Sequence, residues 1–215
     1  MLNDIPYFAY AISAFVGIGL AAATGFRIFM PMFAVSLASY LGWIPMNESF
    51  EWLSGLPTLI ATGIAMTAEV LAYYIPFVDH FLDTMSIPLA TVAGSVMFAS
   101  QFADLGTFPQ WALAIIAGGG TAATISSGFA GTRAASTATT GGLGNSVVAT
   151  GEAAGSAVMS FLALAAPVIA FLVTLALIVT VFFFGRKIWR KFRGGNSAKR
   201  TKTVYVDAVE RKNLE

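Results

Sequence analysis

Residues 155–185 read "GSAVMSFLALAAPVIAFLVTLALIVTVFFFG", thirty-one residues without a charge. A membrane-crossing helix needs about 20 predominantly apolar residues. As one helix this stretch would be ~46 Å long, more than a hydrocarbon core of about 30 Å requires. Pro167 has no amide hydrogen to give, which predicts a kink or a division into a buried half and a lipid-facing half. The final third is dominated by Val, Leu, Ile and Phe, as lipid contact demands.

Working outward, apolar stretches recur at about 7–24, 28–44, 56–75, 86–103 and 110–130. The first, third and fifth suffice for spans, whereas 28–44 and 86–103 are marginal and fit either a tilted span or a partial crossing. The whole chain is 57% hydrophobic and 11% charged, against about 25% charged residues in soluble domains. The expectation is all-α: a polytopic integral membrane helical bundle of five to seven membrane segments with at least one broken or re-entrant helix. Residues 1–185 form its transmembrane domain and 186–215 a basic tail. "MLNDIPYFAY" carries no basic residue before its apolar run, so this segment is expected to stay as a span rather than act as a cleaved signal.

Charge is distributed unevenly. Arg27 and Arg133 are the only basic residues before position 186, and ten more crowd into 186–212. By the positive-inside rule the tail is cytoplasmic, with anionic lipid a candidate partner for its basic start. The loop "WIPMNESFEWLSGLP" is acidic, lacks Lys and Arg, and is flanked by Trp43 and Trp52, which places it on the opposite side. There is no cysteine, so disulfides and thiolate metal sites are excluded.

Residues 117–151, "AGGGTAATISSGFAGTRAASTATTGGLGNSVVATG", are unlike a lipid-facing span. Small residues permit close helix approach, and Gly141, Gly142 and Gly144 predict a break in "TTGGLGN". Such backbone belongs inside protein or beside a water-filled cavity, so the segment reads either as the packed centre of the bundle or as a re-entrant loop. It also echoes the first half. "GLAAATGFR" precedes Arg27 and "GTAATISSGFAGTR" precedes Arg133, and each arginine is followed by a T-x-E at Glu69 or Glu152. Repeat halves at 7–104 and 109–184 would follow, as in many transporters with sites near the midplane.

Charged side chains inside a membrane require partners, since each costs about 2.5–3.5 kcal/mol on insertion scales. Arg27 and Arg133 are therefore expected to pair with Glu69 and Glu152, with Asn145 nearby. The alternatives are a substrate-binding chamber and purely structural ion pairs. A break near Gly25 would leave Pro31 in the first turn of a short half-helix, and Pro76 would end the helix that carries Glu69. In "AEVLAYYIPFVDHFLD", Asp79 and Asp83 share a helical face beside His80. That arrangement suits a proton relay, a hard-cation site or an interfacial helix.

Catalytic templates are missing. The chain has no Gly-x-Ser-x-Gly elbow, HExxH or P-loop, and its His and Cys content does not suit zinc. No enzyme activity, cofactor or metal is expected, and no nucleic acid as partner.

The ordered motifs "AAATGFRIFMP", "AEVLAYYIPFVDHFLD", "GTRAASTATTGGLGN" and "GE" resemble a bacterial family of small multipass membrane proteins catalogued as a domain of unknown function. The likeness covers about residues 10–184. It implies an all-helical protein of the bacterial inner membrane whose recurrent positions match Gly25, Arg27, Pro31, Glu69, Pro76, Asp79, Asp83, Arg133, Gly142, Asn145 and Glu152. Tyr73-Tyr74 stands where the resemblance implies an Asp-Lys pair. Ser126, Ser127 and Gly128 stand where it implies basic or His residues, and Ala153 where it implies an Asp.

The functional expectation is a transporter or permeation pathway for a small anionic solute or lipid head group. The alternatives are a non-transporting scaffold, assembling with partner helices or as a homo-oligomer, and an ion channel.

Overall fold

The computed structural model describes residues 6–102, 106–187 and 190. The chain forms two compact units, residues 1–178 and 179–215. The described part of the second, residues 179–187 and 190, is helical. Nearly all of the expected basic tail lies outside the described residues.

Every regular element described is a helix. In chain order these are α1 (Pro6–Phe26), α2 (Phe29–Tyr40), a 3-10 helix (Glu48–Ser54), α3 (Leu56–Ala72), α4 (Pro76–Ala99), α5 (Thr107–Leu113), a π-helical segment (Ala114–Gly119), α6 (Gly120–Thr140) and α7 (Asn145–Ala165). Helix α8 (Pro167–Lys187) follows. Among the described residues five helical runs are long and apolar enough to cross a membrane: 7–26, 81–99, 107–140, 145–165 and 167–187. The 3-10 helix and α3 form a sixth candidate, bent by 65°. The chain is a multi-pass membrane protein.

Several local readings need correction. Helix α1 runs through Gly25 and ends at Phe26, so Gly25 is not a break. Its missing Cβ instead permits close packing: a methyl there would lie 2.6 Å from Cβ of Ile125 and 2.8 Å from the Ala122 carbonyl oxygen. The actual break is at Arg27-Ile28, and Pro31 does occupy the first turn of α2. At 12 residues α2 is about 18 Å long, too short to cross. Stretch 86–103 belongs to a longer helix, because Pro76 needs no amide partner in a first turn and starts α4 ten residues earlier. The break around Pro76 is therefore the short turn at 73–75, with Ile75 extended.

The Gly- and Ser-rich stretch is neither a re-entrant loop nor wholly packed. It is helical from Thr107 to Thr140, and a chain surrounded by lipid keeps its backbone bonds internal even where helix propensity is poor. One face packs on α1 and α4, where Gly118 meets Gly94 and Phe98 so closely that a Cβ would sit 2.6 Å from the Gly94 carbonyl oxygen. The opposite face, including Ser127, Gly131 and Ala134, is exposed. Helicity stops only where the backbone turns left-handed, at Gly141 (φ 63°) and Gly142 (φ 94°). Gly144 ends that turn and donates its N–H to Thr140 Oγ1 (3.0 Å). At Pro167 the long apolar stretch divides: α7 ends at Ala165, and Ala166 leaves helical geometry.

The core lies between α1, α4, α6 and α7. Leu20, Met97, Ile125 and Ala163 are fully or almost fully buried there. Polar side chains in this core turn back on the backbone. Ser156 of α7 donates to the Ala23 carbonyl (2.9 Å), and Ser36 donates to the Leu53 carbonyl (2.6 Å).

Candidate functional site

Five helices bring charge to one end of the bundle. Arg27 follows the last residue of α1, and Glu69 lies in the last turn of α3. Asp83 lies two turns into α4, Arg133 two turns before the end of α6, and Glu152 two turns into α7. The turns at 73–75 and 141–144 close this end. At the opposite end, where α4 finishes, the 41–55 loop is fastened by Asn47 Nδ2 donating to the Phe102 carbonyl (2.7 Å). The charged chamber is thus not at the middle of the bundle, as repeat-type transporters suggest. Helix α1 uses a full span of 20 residues before Arg27 is reached.

Both guanidinium groups are nonetheless enclosed by protein, Arg27 being 1% and Arg133 3% exposed. Arg133 presents its side edge to Glu152, with Nε donating to Oε1 (2.9 Å) and Nη2 to Oε2. Its Nη1 reaches Asp83 Oδ1 at 2.8 Å. Glu152 also serves Arg27, whose Nη2 lies 3.4 Å from Oε2 and donates to the Ala149 carbonyl (2.9 Å). One buried carboxylate therefore serves two buried cations, rather than each arginine having its own glutamate.

Glu69 has a different task. Its Oε1 accepts from the Ile28 N–H (2.8 Å) and its Oε2 from the Phe29 N–H (3.0 Å). Helix α2 has no side-chain cap of its own, so its orphan N–H groups are satisfied from another helix. A carboxylate is well placed there, because donors and helix dipole converge on it. The break after Arg27 is what makes these N–H groups available.

Tyr73 completes the chamber. Its ring centroid is 3.7 Å from Cζ of Arg27 and 4.1 Å from Cζ of Arg133. A desolvated cation over an aromatic face gains about 2 kcal/mol or more, which offsets part of the repulsion between neighbouring guanidinium groups. Next to it, Tyr74 Oη and Thr150 Oγ1 lie 2.8 Å apart and join α3's end to α7.

Arg27 remains incompletely satisfied: Nε and Nη1 are buried without a hydrogen-bond partner among the described residues. Buried donors are seldom left so. A polar cavity of about 20 Å³, walled by Tyr73, Asp83, Ser86, Ser126, Arg133 and Glu152, opens beside this network. It has room for about one water molecule. Asp83 is its most accessible acid, with 23% of the side chain exposed.

Asn145 starts α7 and is buried, its Nδ2 donating to Thr137 Oγ1 (3.2 Å). It fixes the glycine turn to α6. The backbone of 79–83 is helical, but the side chains of Asp79 and His80 lie outside the described residues, so only Asp83 of that trio is placed. Tyr73 had no distinguishing mark in a chain with 13% aromatic residues. Among the described residues no group of His, Cys, Asp and Glu is arranged to hold a metal ion.

The family described as a domain of unknown function (DUF4126) matches residues 14–187. The chain belongs to that family. The match takes in every residue of the chamber from Arg27 to Glu152, so the charged network lies within the DUF4126 domain. Among curated proteins and among solved structures, nothing matches.

Proposed function

We propose that this DUF4126 protein is a membrane transporter for a small anionic solute, with Arg27 and Arg133 as its binding cations. The observation that carries the reading is the state of Arg27, a buried guanidinium whose Nη2 is held by the Ala149 carbonyl and a shared Glu152 while Nε and Nη1 have no hydrogen-bond partner among the described residues. A structural ion pair of that depth ordinarily has its donors satisfied, because an unmet buried charge is costly. Here donors remain for a guest.

In the arrangement described, Glu152 occupies the position that an anionic solute would compete for. A solute arriving past Asp83 would take over donors of Arg133 and Arg27 and release Glu152, and a cavity with room for about one water molecule would have to widen to admit it. The protein would act without chemical conversion of its solute. The inner membrane of a bacterium, with the basic tail in the cytoplasm, fits the Lys and Arg distribution.

Proteoliposomes test this directly. Saturable uptake of a small inorganic or carboxylate anion, lost in Arg27→Gln and Arg133→Gln variants that still purify as folded protein, supports the reading. Non-saturating current identifies a channel. Absence of flux across a panel of anions, together with membrane partners that co-purify, identifies a scaffold and overturns transport.

A further inference from the structure

The lining of the water-sized cavity beside Arg133 is uneven. Asp83 and Glu152 bring acid to it, Phe26, Phe129 and Ala130 bring carbon, and two serines bring hydroxyls. Ser86 is already committed, donating to the Asp83 carbonyl (2.9 Å) within α4. Ser126 is not. It is 4% exposed, and among the described residues its hydroxyl makes no hydrogen bond. Other hydroxyls of α6 turn back on their own helix: Thr124 donates to the Gly120 carbonyl (2.8 Å), Ser127 to Ala123 (2.6 Å) and Thr132 to Gly128 (3.0 Å). The Ser126 oxygen is reachable from the cavity, unlike the sealed Nε and Nη1 of Arg27. Ser126 and Arg133 lie two turns apart on one face of α6. Long side chains on a helix lean toward its N-terminus, so the guanidinium comes back toward Ser126 and both meet the same cavity.

Taking the chamber as the anion site proposed above, we infer that Arg133 and Ser126 form a subsite for a small monocarboxylate. One oxygen of the guest replaces that of Asp83 on Nη1 of Arg133, and the other accepts from the Ser126 hydroxyl. The structure already shows a carboxylate oxygen on that nitrogen, Asp83 Oδ1 at 2.8 Å. Asp83 is also the acid placed to leave. Its side chain is 23% exposed against 3% for Glu152, so its carboxylate reaches water with the smaller rearrangement. Its departure widens a space of about 20 Å³ by one carboxylate, the group that comes in. Donor number then sets the class. Glu152 keeps Nε and Nη2 of Arg133, which leaves Nη1 and the Ser126 hydroxyl for the two oxygens of a carboxylate. Even with the Tyr73 phenol as a third donor, the four oxygens of phosphate or sulfate outnumber what the cavity supplies, and buried oxygens without donors are costly. A halide has no use for a pair of directed donors or for the carbon wall. Phe26 and Phe129, with ring centroids 4.7 Å apart, give the guest's short carbon end an apolar surface.

Thermal unfolding of the full-length protein in detergent tests this, with sodium formate, acetate, chloride, phosphate and sulfate compared at equal ionic strength. Formate and acetate should raise the melting temperature along a saturating curve that gives an apparent Kd, and the other three anions should not. Ser126→Ala should weaken formate and acetate about five-fold, the loss of one hydrogen bond. It should leave the melting temperature without added carboxylate unchanged, since no protein group loses a partner. Asp83→Asn should tighten both roughly ten-fold, because the resident competitor loses its charge. Should that variant not fold, Ser126→Val, which fills the cavity with carbon, replaces it and should abolish the saturating shift. A larger saturating shift with chloride, phosphate or sulfate overturns the monocarboxylate class and leaves transport of another anion standing. Formate and acetate curves unaltered by Ser126→Ala overturn the subsite. No saturating shift with any anion overturns the inference as a whole, and uptake by proteoliposomes then decides the transport reading separately.

Discussion

Glu152 binds Arg133 through both of its oxygens and, with the same Oε2, lies 3.4 Å from Nη2 of Arg27. The two cations of the membrane domain therefore share one carboxylate that is 2% exposed, with Asp83 a second partner for Arg133 alone. Removing one member of a buried ion pair leaves an uncompensated charge and costs about 3–5 kcal/mol. Glu152→Gln, which keeps size but replaces one accepting oxygen with an NH2 donor, should destabilise the protein by about that amount. Thermal unfolding in detergent checks this, and Glu152→Gln combined with Arg133→Gln should recover part of the loss.

Glu69 predicts a local effect rather than a global one. It caps α2 by accepting from the N–H groups of Ile28 and Phe29. Hydrogen bonds to a charged group contribute about 1.5–3 kcal/mol each. Glu69→Ala should raise amide exchange at Ile28, Phe29 and the first turn of α2 well above that in α6. Hydrogen exchange resolved to peptides reads this directly, and uniform loss of protection across the bundle would contradict a local capping role.

The chain's apolar runs disclosed the spans because bilayer thickness fixes their length, and the rare charges among them marked Arg27, Arg133, Glu69 and Glu152. Partner choice was not legible. Glu69 and Glu152 have similar surroundings in the sequence, and only the break after Arg27 turns Glu69 toward backbone N–H groups. Gly25 illustrates a second limit. A glycine that opens a turn and one that admits a neighbouring helix look the same until the neighbours, here Ala122 and Ile125, are known. The break expected in "TTGGLGN" is where helicity stops, at Gly141 and Gly142, whereas the choice between packed centre and re-entrant loop for the small-residue run before it was not legible, because a helix in lipid keeps its backbone bonds internal even where propensity is poor. Tyr73 gave no signal, since its role comes from the two guanidinium groups that surround it in space.

Tyr73 separates two contributions of the chamber. Its ring stands close to both guanidinium groups, and that attraction belongs to the aromatic face rather than the hydroxyl. Tyr73→Phe should keep most of the stability, whereas Tyr73→Leu should lose about 2 kcal/mol or more. The measurement is a pair of unfolding curves. Equal loss in both variants would assign the stabilisation to the phenol oxygen instead.

The glycines divide into three classes with opposite responses to a methyl group. At Gly142 the backbone has φ 94°, a conformation that L side chains rarely adopt, so Gly142→Ala should destabilise the 141–144 turn by about 1 kcal/mol or more even though nothing stands within 4 Å. At Gly25 the conformation is helical but Ile125 and the Ala122 carbonyl oxygen stand too close, so Gly25→Ala should force α1 from α6 and cost about 1–3 kcal/mol. Gly131 is inside α6 with open space around it, and Gly131→Ala should stabilise by about 0.5–1 kcal/mol by relieving the helix of glycine's conformational freedom. Melting temperatures of the three variants under one detergent condition should fall in the order Gly131→Ala above the parent, with Gly142→Ala and Gly25→Ala below it. A Gly131→Ala variant less stable than the parent would mean that this face of α6 is covered in the membrane, and cross-linking between copies through a cysteine placed at Ala134 would then show whether a second chain covers it.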